Sequence, residues 1–149
     1  MTDIPRDSAF LEDIIEASYD GIVVIHLDGS IVLVNSAAEK ITGLRKNDML
    51  GKNLFDLTAG GGSSEAQRQQ WIDHIRTHKR FSFETQFTTP DGHIVYIEQG
   101  ITSLSEDSGD TPLVIAIIRD ITEKKQSEKA LREANRFRKQ FFTNITHEF

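Results

Sequence analysis

The sequence contains no cysteine, and several kinds of site that depend on a thiol are therefore excluded. Without cysteine among its 149 residues, the chain forms no disulfide, no thiolate metal site and no cysteine adduct. Long apolar runs are missing too: none approaches the ~20 residues that a helix needs to cross a bilayer. The N-terminus also lacks the charged-then-apolar pattern of a signal peptide. These absences predict a cytoplasmic location and no membrane segment in this chain.

An excess of positive charge is also absent. The formal net charge is −6 at pH 7, and nucleic-acid binders need basic surfaces to neutralise phosphates. Basic residues do cluster between residues 124 and 139, but acidic residues alternate with them. Such mixed charge is typical of the solvated flank of a helix. We therefore expect no nucleic-acid partner.

The first half of the chain predicts a helix followed by a β-hairpin. Residues 8–18 have the apolar spacing of an amphipathic helix. Residues 22–25 and 31–34 are rich in Val and Ile, which favours strands. Asp28 and Gly29 lie between the two strands, and this dipeptide is typical of tight hairpins.

The second half predicts a helix and three further strands. The helix is expected over residues 65–78, and the strands over 81–87, 93–104 and 113–118. The last strand is the most apolar, so we predict that it is central and buried on both faces. Two strands, several short helices and three more strands indicate an α+β domain. Its helices should gather on one face of a five-stranded antiparallel sheet.

Two of the predicted helices carry capping signals at their starts. Ser36 and Glu39 have the spacing of a capping box, in which the Ser hydroxyl and the Glu carboxylate each accept from a backbone amide. Asp120, three residues before Glu123, is predicted to cap the C-terminal helix. With Arg119, this cap would fix the angle at which that helix leaves the sheet.

The C-terminal stretch predicts one long helix with a coiled-coil seam. Residues 123–149 contain no Gly or Pro and are rich in strong helix formers. Apolar residues recur along them at spacings of four, three and four, which is typical of a coiled coil. The seam consists of Ala130, Ala134, Phe137 and Phe141. The N-terminal helix carries a second apolar stripe, made of Phe10, Leu11, Ile14 and Ile15. Together they predict a parallel homodimer.

Several separated motifs resemble, in the right order, those of the PAS family of sensory domains. They are DGI at 20–22, DGSI at 28–31, VNSAAE at 34–39, TG at 42–43, LGKNLF at 50–55, DG at 91–92 and RDITE at 119–123. The last of these is similar to the exit motif by which the family joins its final strand to an output helix. The resemblance covers roughly residues 10–122, and so most of the chain.

The resemblance implies a PAS fold and a three-part organisation. Residues 1–19 would form the N-terminal amphipathic helix, 20–122 the sensor domain and 123–149 the signalling helix. The family's exit motif implies a role in signal transfer for four consecutive residues. These are Arg119, Asp120, Ile121 and Thr122.

The end of the long helix resembles the phosphoacceptor box of two-component sensor histidine kinases. Residues 141–149 read FFTNITHEF, and the family's pattern continues into a basic-Thr-Pro-Leu run beyond them. The resemblance implies that His147 accepts the phosphoryl group and that Glu148 orients or activates it. A lone histidine on a polar helix face is usually only solvated. His-Glu also begins a zinc-protease motif, which needs a further His three residues after the Glu.

The two resemblances together imply the sensory input module of a sensor histidine kinase, with a response regulator as its downstream partner. ATP would bind only to a separate catalytic domain of the parent protein. This chain alone should be inactive, because its glycine run at residues 60–62 lacks the Lys-Ser/Thr pair of a P-loop. The alternative is a PAS binding and dimerisation module with a different output, such as a cyclic-dinucleotide enzyme. A zinc hydrolase is a third class, disfavoured because a PAS-like domain offers no reason for one.

A PAS fold implies an internal cavity. The sequence does not identify its ligand, and a small molecule is one candidate. Adduct photochemistry is excluded by the lack of cysteine. Haem and non-covalent flavin remain candidates but are not favoured. Trp71 could stack on a flavin ring, although a core or interface role is favoured. His74 or His78 could ligate haem, and their spacing would also suit a divalent metal. A polar helix face explains the pair better, so no metal site is expected.

Overall fold

The computed structural model describes residues 7–57, 65–104 and 112–148. The glycine run at 60–62 and Phe149 lie outside these residues. The described elements, in chain order, are α1 Ser8–Ala17, β1 Gly21–His26, β2 Ile31–Val34, α2 Ser36–Thr42, α3 Lys46–Met49, α4 Leu54–Leu57, α5 Glu65–Thr77, β3 Arg80–Thr88, β4 Ile94–Ser103, β5 Leu113–Asp120 and α6 Thr122–Glu148.

The strands form one antiparallel sheet in the order β2-β1-β5-β4-β3. β1 and β2 are joined by the predicted tight turn, in which Gly29 has a φ of 97°. The Asp28 carboxylate closes this turn by accepting from the Ser30 amide at 2.9 Å. The five-stranded antiparallel sheet and the flanking helices confirm the predicted α+β architecture.

The hydrophobic core lies between one face of the sheet and the short helices. Strands β1, β4 and β5 contribute Ile25, Ile101 and Val114, each at most 1% exposed. Helices α2 and α5 contribute Ala38 and Ile75, which are equally buried. Burying an isoleucine or valine side chain fully stabilises the fold by about 1.5–3 kcal/mol. The apolar packing therefore holds the helices on this face.

The second face of β5 is not buried, and the prediction that both faces would be covered is wrong. Val114, Ala116 and Ile118 point into the core, but Ile115 is only half-buried and Ile117 is 43% exposed. Helices α2 to α5 lie on the side of the sheet that faces the core. A central strand of an antiparallel sheet therefore keeps a solvated face even when its sequence is apolar throughout.

The cap of α2 lies one residue before the predicted one. The Oδ1 of Asn35 accepts from the Ala38 amide at 3.0 Å, and Ser36 is the first helical residue. The Ser36 hydroxyl instead bonds the Glu16 carboxylate, and the Glu39 carboxylate accepts from the amide of Lys46 at 3.2 Å. The predicted capping box of Ser36 and Glu39 is therefore wrong. Asn and Ser are equally good caps, so the sequence alone could not choose between neighbours.

The side chain of Asn35 also joins α1 to the sheet. Its Oδ1 accepts from the amide of Ile22 at 2.8 Å, and its Nδ2 donates to the carbonyl oxygens of Ile15 and Asp20. Asn35 is fully buried, and these bonds satisfy a polar group that would otherwise be costly to bury. One residue thus holds the end of α1 against the start of β1.

Candidate functional site

A cavity of about 260 Å³ lies between the covered face of the sheet and helices α2 to α5. All five strands and these four helices contribute to its wall. The described residues that line it are Val23, Ile31, Thr42, Leu44, Met49, Leu54, Phe55, Leu57, Trp71, Phe83, Thr85, Phe87, Ile97, Gln99, Ala116 and Ile118. None of them carries a charge, so the interior is apolar with a few polar groups.

An aromatic cluster forms one side of the cavity. The ring of Trp71 meets those of Phe55, Phe81 and Phe83 edge to face, with centroid distances of 6.5, 5.9 and 5.9 Å. Such pairs contribute about 0.5–1.5 kcal/mol beyond the area they bury. The indole N–H of Trp71 is buried and has no acceptor among the described residues. Trp71 therefore lines the cavity and also holds α5 against β3.

Arg68 fastens helix α4, which closes another side of the cavity. Its guanidinium lies 5.5 Å from the ring centroid of Phe55, and its Nη2 is 2.7 Å from a carboxylate oxygen of Asp56. Both contacts reach from α5 to α4, so they hold the two helices together. Arg68 itself is not among the residues that line the cavity.

The polar groups in the cavity wall differ in how they are satisfied. The hydroxyl of Thr42 donates to the Ala38 carbonyl oxygen at 2.8 Å and accepts from the Leu44 amide at 3.2 Å. Within the described residues, the side chains of Thr85 and Gln99 make no hydrogen bond. Thr85 and Gln99 are therefore available to a bound molecule.

His74 lies outside the lining of the cavity. Its ring stacks on that of His78, with centroids 4.4 Å apart, and meets the edge of Phe81 at 4.5 Å. Both histidines are exposed. Across ranges 7–57, 65–104 and 112–148, no cluster of three or more His, Cys, Asp or Glu could hold a metal ion. No histidine lines the cavity among these residues, so haem would lack its usual axial ligand there.

The junction between β5 and α6 is built from polar contacts. The guanidinium of Arg119 donates from Nε and Nη2 to both carboxylate oxygens of Asp20, at 3.2 and 3.1 Å. This contact raises the pKa of Arg119. The carboxylate of Asp120 accepts from the amide of Thr122, the first residue of α6, at 2.9 Å. The first contact ties the end of β5 to the residue before β1, and the second joins the end of β5 to the start of α6.

Tyr96 of β4 also binds the start of α6, through its backbone. Its amide donates to the Thr122 hydroxyl at 3.0 Å, and its carbonyl oxygen accepts from the Ile121 amide at 2.8 Å. The side chain of Ile121 is 5% exposed. All four residues expected to transfer the signal thus lie at one junction, and β4 is a partner that the sequence did not indicate.

A further contact that the sequence did not indicate joins α6 to β3. The ammonium of Lys125 lies 2.5 Å from a carboxylate oxygen of Glu84. The pair lowers the pKa of Glu84 and raises the pKa of Lys125. The neighbours of Glu84 in the strand, Phe83 and Thr85, line the cavity. The first turn of α6 is therefore attached to a strand that forms the cavity wall.

Helix α6 is 27 residues long from its start at the junction, or about 40 Å at the rise of an α-helix. Both aromatic residues of the predicted seam are exposed, Phe137 by 71% and Phe141 by 53%. The helix ends at Glu148, so His147 belongs to its last turn. Among the described residues, no helix is long and apolar enough to cross a membrane.

A covered sheet with an internal cavity, whose central strand leads into a long helix, is the architecture of a sensory domain with an output helix. A family model described as a PAS domain matches residues 20–123. The chain belongs to the PAS family.

Two curated proteins and a solved structure illustrate the similarity. The chain is 23% identical over 130 residues to the cyclic di-GMP phosphodiesterase PdeR of Escherichia coli (strain K12). This match covers 87% of this chain and 20% of that protein. It is 25% identical over 138 residues to the sensor protein kinase WalK of Staphylococcus haemolyticus (strain JCSC1435). This match covers 93% of this chain and 20% of that protein. The chain thus spans about a fifth of the length of these relatives.

The structural comparison agrees with the family assignment. The crystal structure of the PAS domain of an HTR-like protein from Haloarcula marismortui is similar with a TM-score of 0.64 and 24% identity. The match covers 76% of this chain and 91% of that one. At this level of identity, the similarity establishes the fold.

Proposed function

We propose that this chain is the sensory input module of a cytoplasmic sensor histidine kinase in two-component signal transduction. The observation that carries the proposal is the continuity of α6 from the sheet junction to residues 141–148, where the sequence resembles a phosphoacceptor box. The similarity to WalK, which covers 93% of this chain, supports the same function.

The proposed chemistry is phosphoryl transfer to His147. A ring nitrogen of His147 would attack the γ-phosphoryl group of ATP bound to a separate catalytic domain of the parent protein, and the bond to the β,γ-bridging oxygen would break to release ADP. Glu148 would accept a hydrogen bond from the other ring N–H and so raise the nucleophilicity of the ring. The phosphoryl group would then pass to an aspartate of a response regulator.

We further propose that the protein acts as a parallel homodimer. The seam of α6 leaves Phe137 and Phe141 exposed in the single chain. In α1, Leu11 and Ile14 are also about half exposed, at 52% and 51%. A second copy would cover both apolar stripes, which supports an assembly through α1 and α6.

The cue is proposed to be the occupancy of the cavity by a small molecule. A bound ligand would shift β3 and β4, which carry Glu84 and Tyr96, and these residues contact the first turn of α6. Arg119, Asp120 and Thr122 would keep the helix attached to the sheet while it moves. Two arrangements of this junction would then bias the position of His147.

A second candidate function is a PAS module that controls another output, such as a cyclic-dinucleotide enzyme. The similarity to PdeR covers 87% of this chain and supports this alternative. The cavity and the junction would serve the same purpose in it. The resemblance of residues 141–149 to a phosphoacceptor box would then be accidental.

The test is the mapping of phosphohistidine in the parent protein supplied with ATP. We expect an acid-labile, base-stable label, and His147→Gln should abolish it without loss of the fold. The matched control is His78→Gln, the same substitution at an exposed histidine just after helix α5, which should keep the label. Persistent labelling in His147→Gln would show that the assignment is wrong. Turnover of a cyclic dinucleotide by an unlabelled parent would favour the second candidate.

A further inference from the structure

Two polar side chains of the cavity wall, which make no hydrogen bond within the described residues, lie on adjacent strands. Thr85 of β3 pairs with Ile97, and Gln99 of β4 pairs with Phe83. Thr85 and Gln99 are therefore diagonal neighbours on the same face of the sheet, for which the Cα atoms are roughly 7–8 Å apart. A single hydrogen-bonding group of a ligand, placed between them, can reach both side chains.

The described wall carries no charged side chain that could form an ion pair with a ligand. No Asp, Glu, Lys, Arg or His lines the cavity among the described residues. The nearby cation of Arg68 is held by Asp56 at 2.7 Å. An ionised group inside the cavity would therefore be buried without a partner, which costs far more than the burial of a neutral amide or hydroxyl that is hydrogen-bonded.

The volume and shape of the cavity further limit which molecules could bind in it. The volume of about 260 Å³ is below the ~300–1,000 Å³ of typical pockets for drug-sized molecules. It is larger than the ~150 Å³ of an apolar cavity that accepts benzene. Trp71 and Phe83 supply aromatic surface on one side. A flat ring with a short substituent suits these dimensions.

We infer that the cavity selects small, uncharged and mainly apolar molecules that carry one polar group, such as a carboxamide, for Gln99 and Thr85. The inference rests on the proposed function, in which this cavity receives the cue. It names the chemical class of that cue. It also disfavours a phosphate-bearing flavin, because no cation in the described wall could pair with the phosphate.

The test compares three probes of similar shape: 4-ethylbenzamide, 4-ethylbenzoate and 4-ethyltoluene. The chain has a single tryptophan, Trp71, which lines the cavity, so its fluorescence reports binding at this site. We expect the neutral amide to bind about tenfold more tightly than the carboxylate. Gln99→Leu and Thr85→Val should each weaken amide binding several-fold and leave the affinity for 4-ethyltoluene unchanged or higher.

The matched control is Gln86→Leu, on the exposed face of the same sheet, which should change no affinity. The melting temperature of each variant checks that it folds. Equal or tighter binding of the carboxylate would overturn the inference. Unchanged amide affinity in both cavity variants, or no binding of any probe, would also overturn it. Phosphohistidine formation is measured separately, so failure of the kinase assignment would leave this selectivity standing.

Discussion

The cavity and the junction with α6 are built from opposite kinds of interaction. The cavity is apolar, and the side chains of Thr85 and Gln99 make no hydrogen bond in the part of the chain that the structure describes. At the junction, Arg119, Asp120 and Lys125 each engage a polar partner. Apolar contacts are non-directional, whereas hydrogen bonds depend on distance and angle. In the proposed function, the cavity would adapt to a ligand, and the junction would convert a small strand shift into a defined movement of the helix.

The largest effect is expected from removing apolar volume from the hydrophobic core. Ile101 of β4 is 1% exposed, and Ile101→Ala should lower the free energy of unfolding by about 2–5 kcal/mol, because it removes buried methyl groups and leaves a void. Ile94→Ala, the same change at a 54% exposed position of the same strand, should cost much less. Urea denaturation measures both. Equal losses would contradict the burial that distinguishes the two positions.

A smaller loss of stability, with a separate loss of coupling, is expected at the junction. Asp120→Ala removes the acceptor for the Thr122 amide and should cost about 1 kcal/mol. In the parent protein it should also blunt the response of phosphorylation to the cue, because the helix is less firmly attached to the sheet. Lys129→Arg, an exposed change further along α6, should do neither. An unaltered response in Asp120→Ala would reduce Asp120 to a structural cap.

The smallest effect is expected at the ion pair between β3 and α6, since exposed pairs contribute little. The Lys125 ammonium lowers the pKa of Glu84 from its usual 4.5. The pair therefore stabilises the folded state above that value and loses this contribution as pH falls through the lowered pKa. Glu84→Gln should be slightly less stable at pH 7, and the difference should vanish in acid. A difference that persists in acid would mean that charge is not its source.

Reversing both charges, by Glu84→Lys together with Lys125→Glu, tests whether the stabilisation comes from the ion pair or from each residue separately. Each single reversal replaces the ion pair by two like charges and should be less stable than the double variant. The double variant should recover much of the wild-type stability and coupling. Additive effects of the two reversals would show that these side chains do not interact in solution.

The predictions from the sequence succeeded where local pattern determines structure. Alternating residues predicted β3, and the Asp28-Gly29 turn predicted the first hairpin. The cap of α2 was misplaced because Asn35 and Ser36 both suit the position, and the long-range bonds of Asn35 decide between them. The apolar run of β5 could not reveal that only one face is covered.

The contacts between distant elements could not be predicted from the sequence. Lys125 could pair with any nearby acidic residue of α6, and its contact with Glu84 depends on how the helix leaves the sheet. The diagonal placement of Thr85 and Gln99 depends on the register of β3 against β4. Such register follows from the packing of the whole domain and not from either strand alone.

The most direct test of the account is the rate of His147 phosphorylation in the parent protein with the cavity empty and with it saturated by 4-ethylbenzamide. Occupancy that reaches the phosphoacceptor through the junction should change this rate about fivefold or more. In Asp120→Ala, the probe should bind equally well and the change should be smaller. A wild-type rate that is the same with the cavity empty and filled would contradict the coupling of cavity to helix on which the proposed function depends.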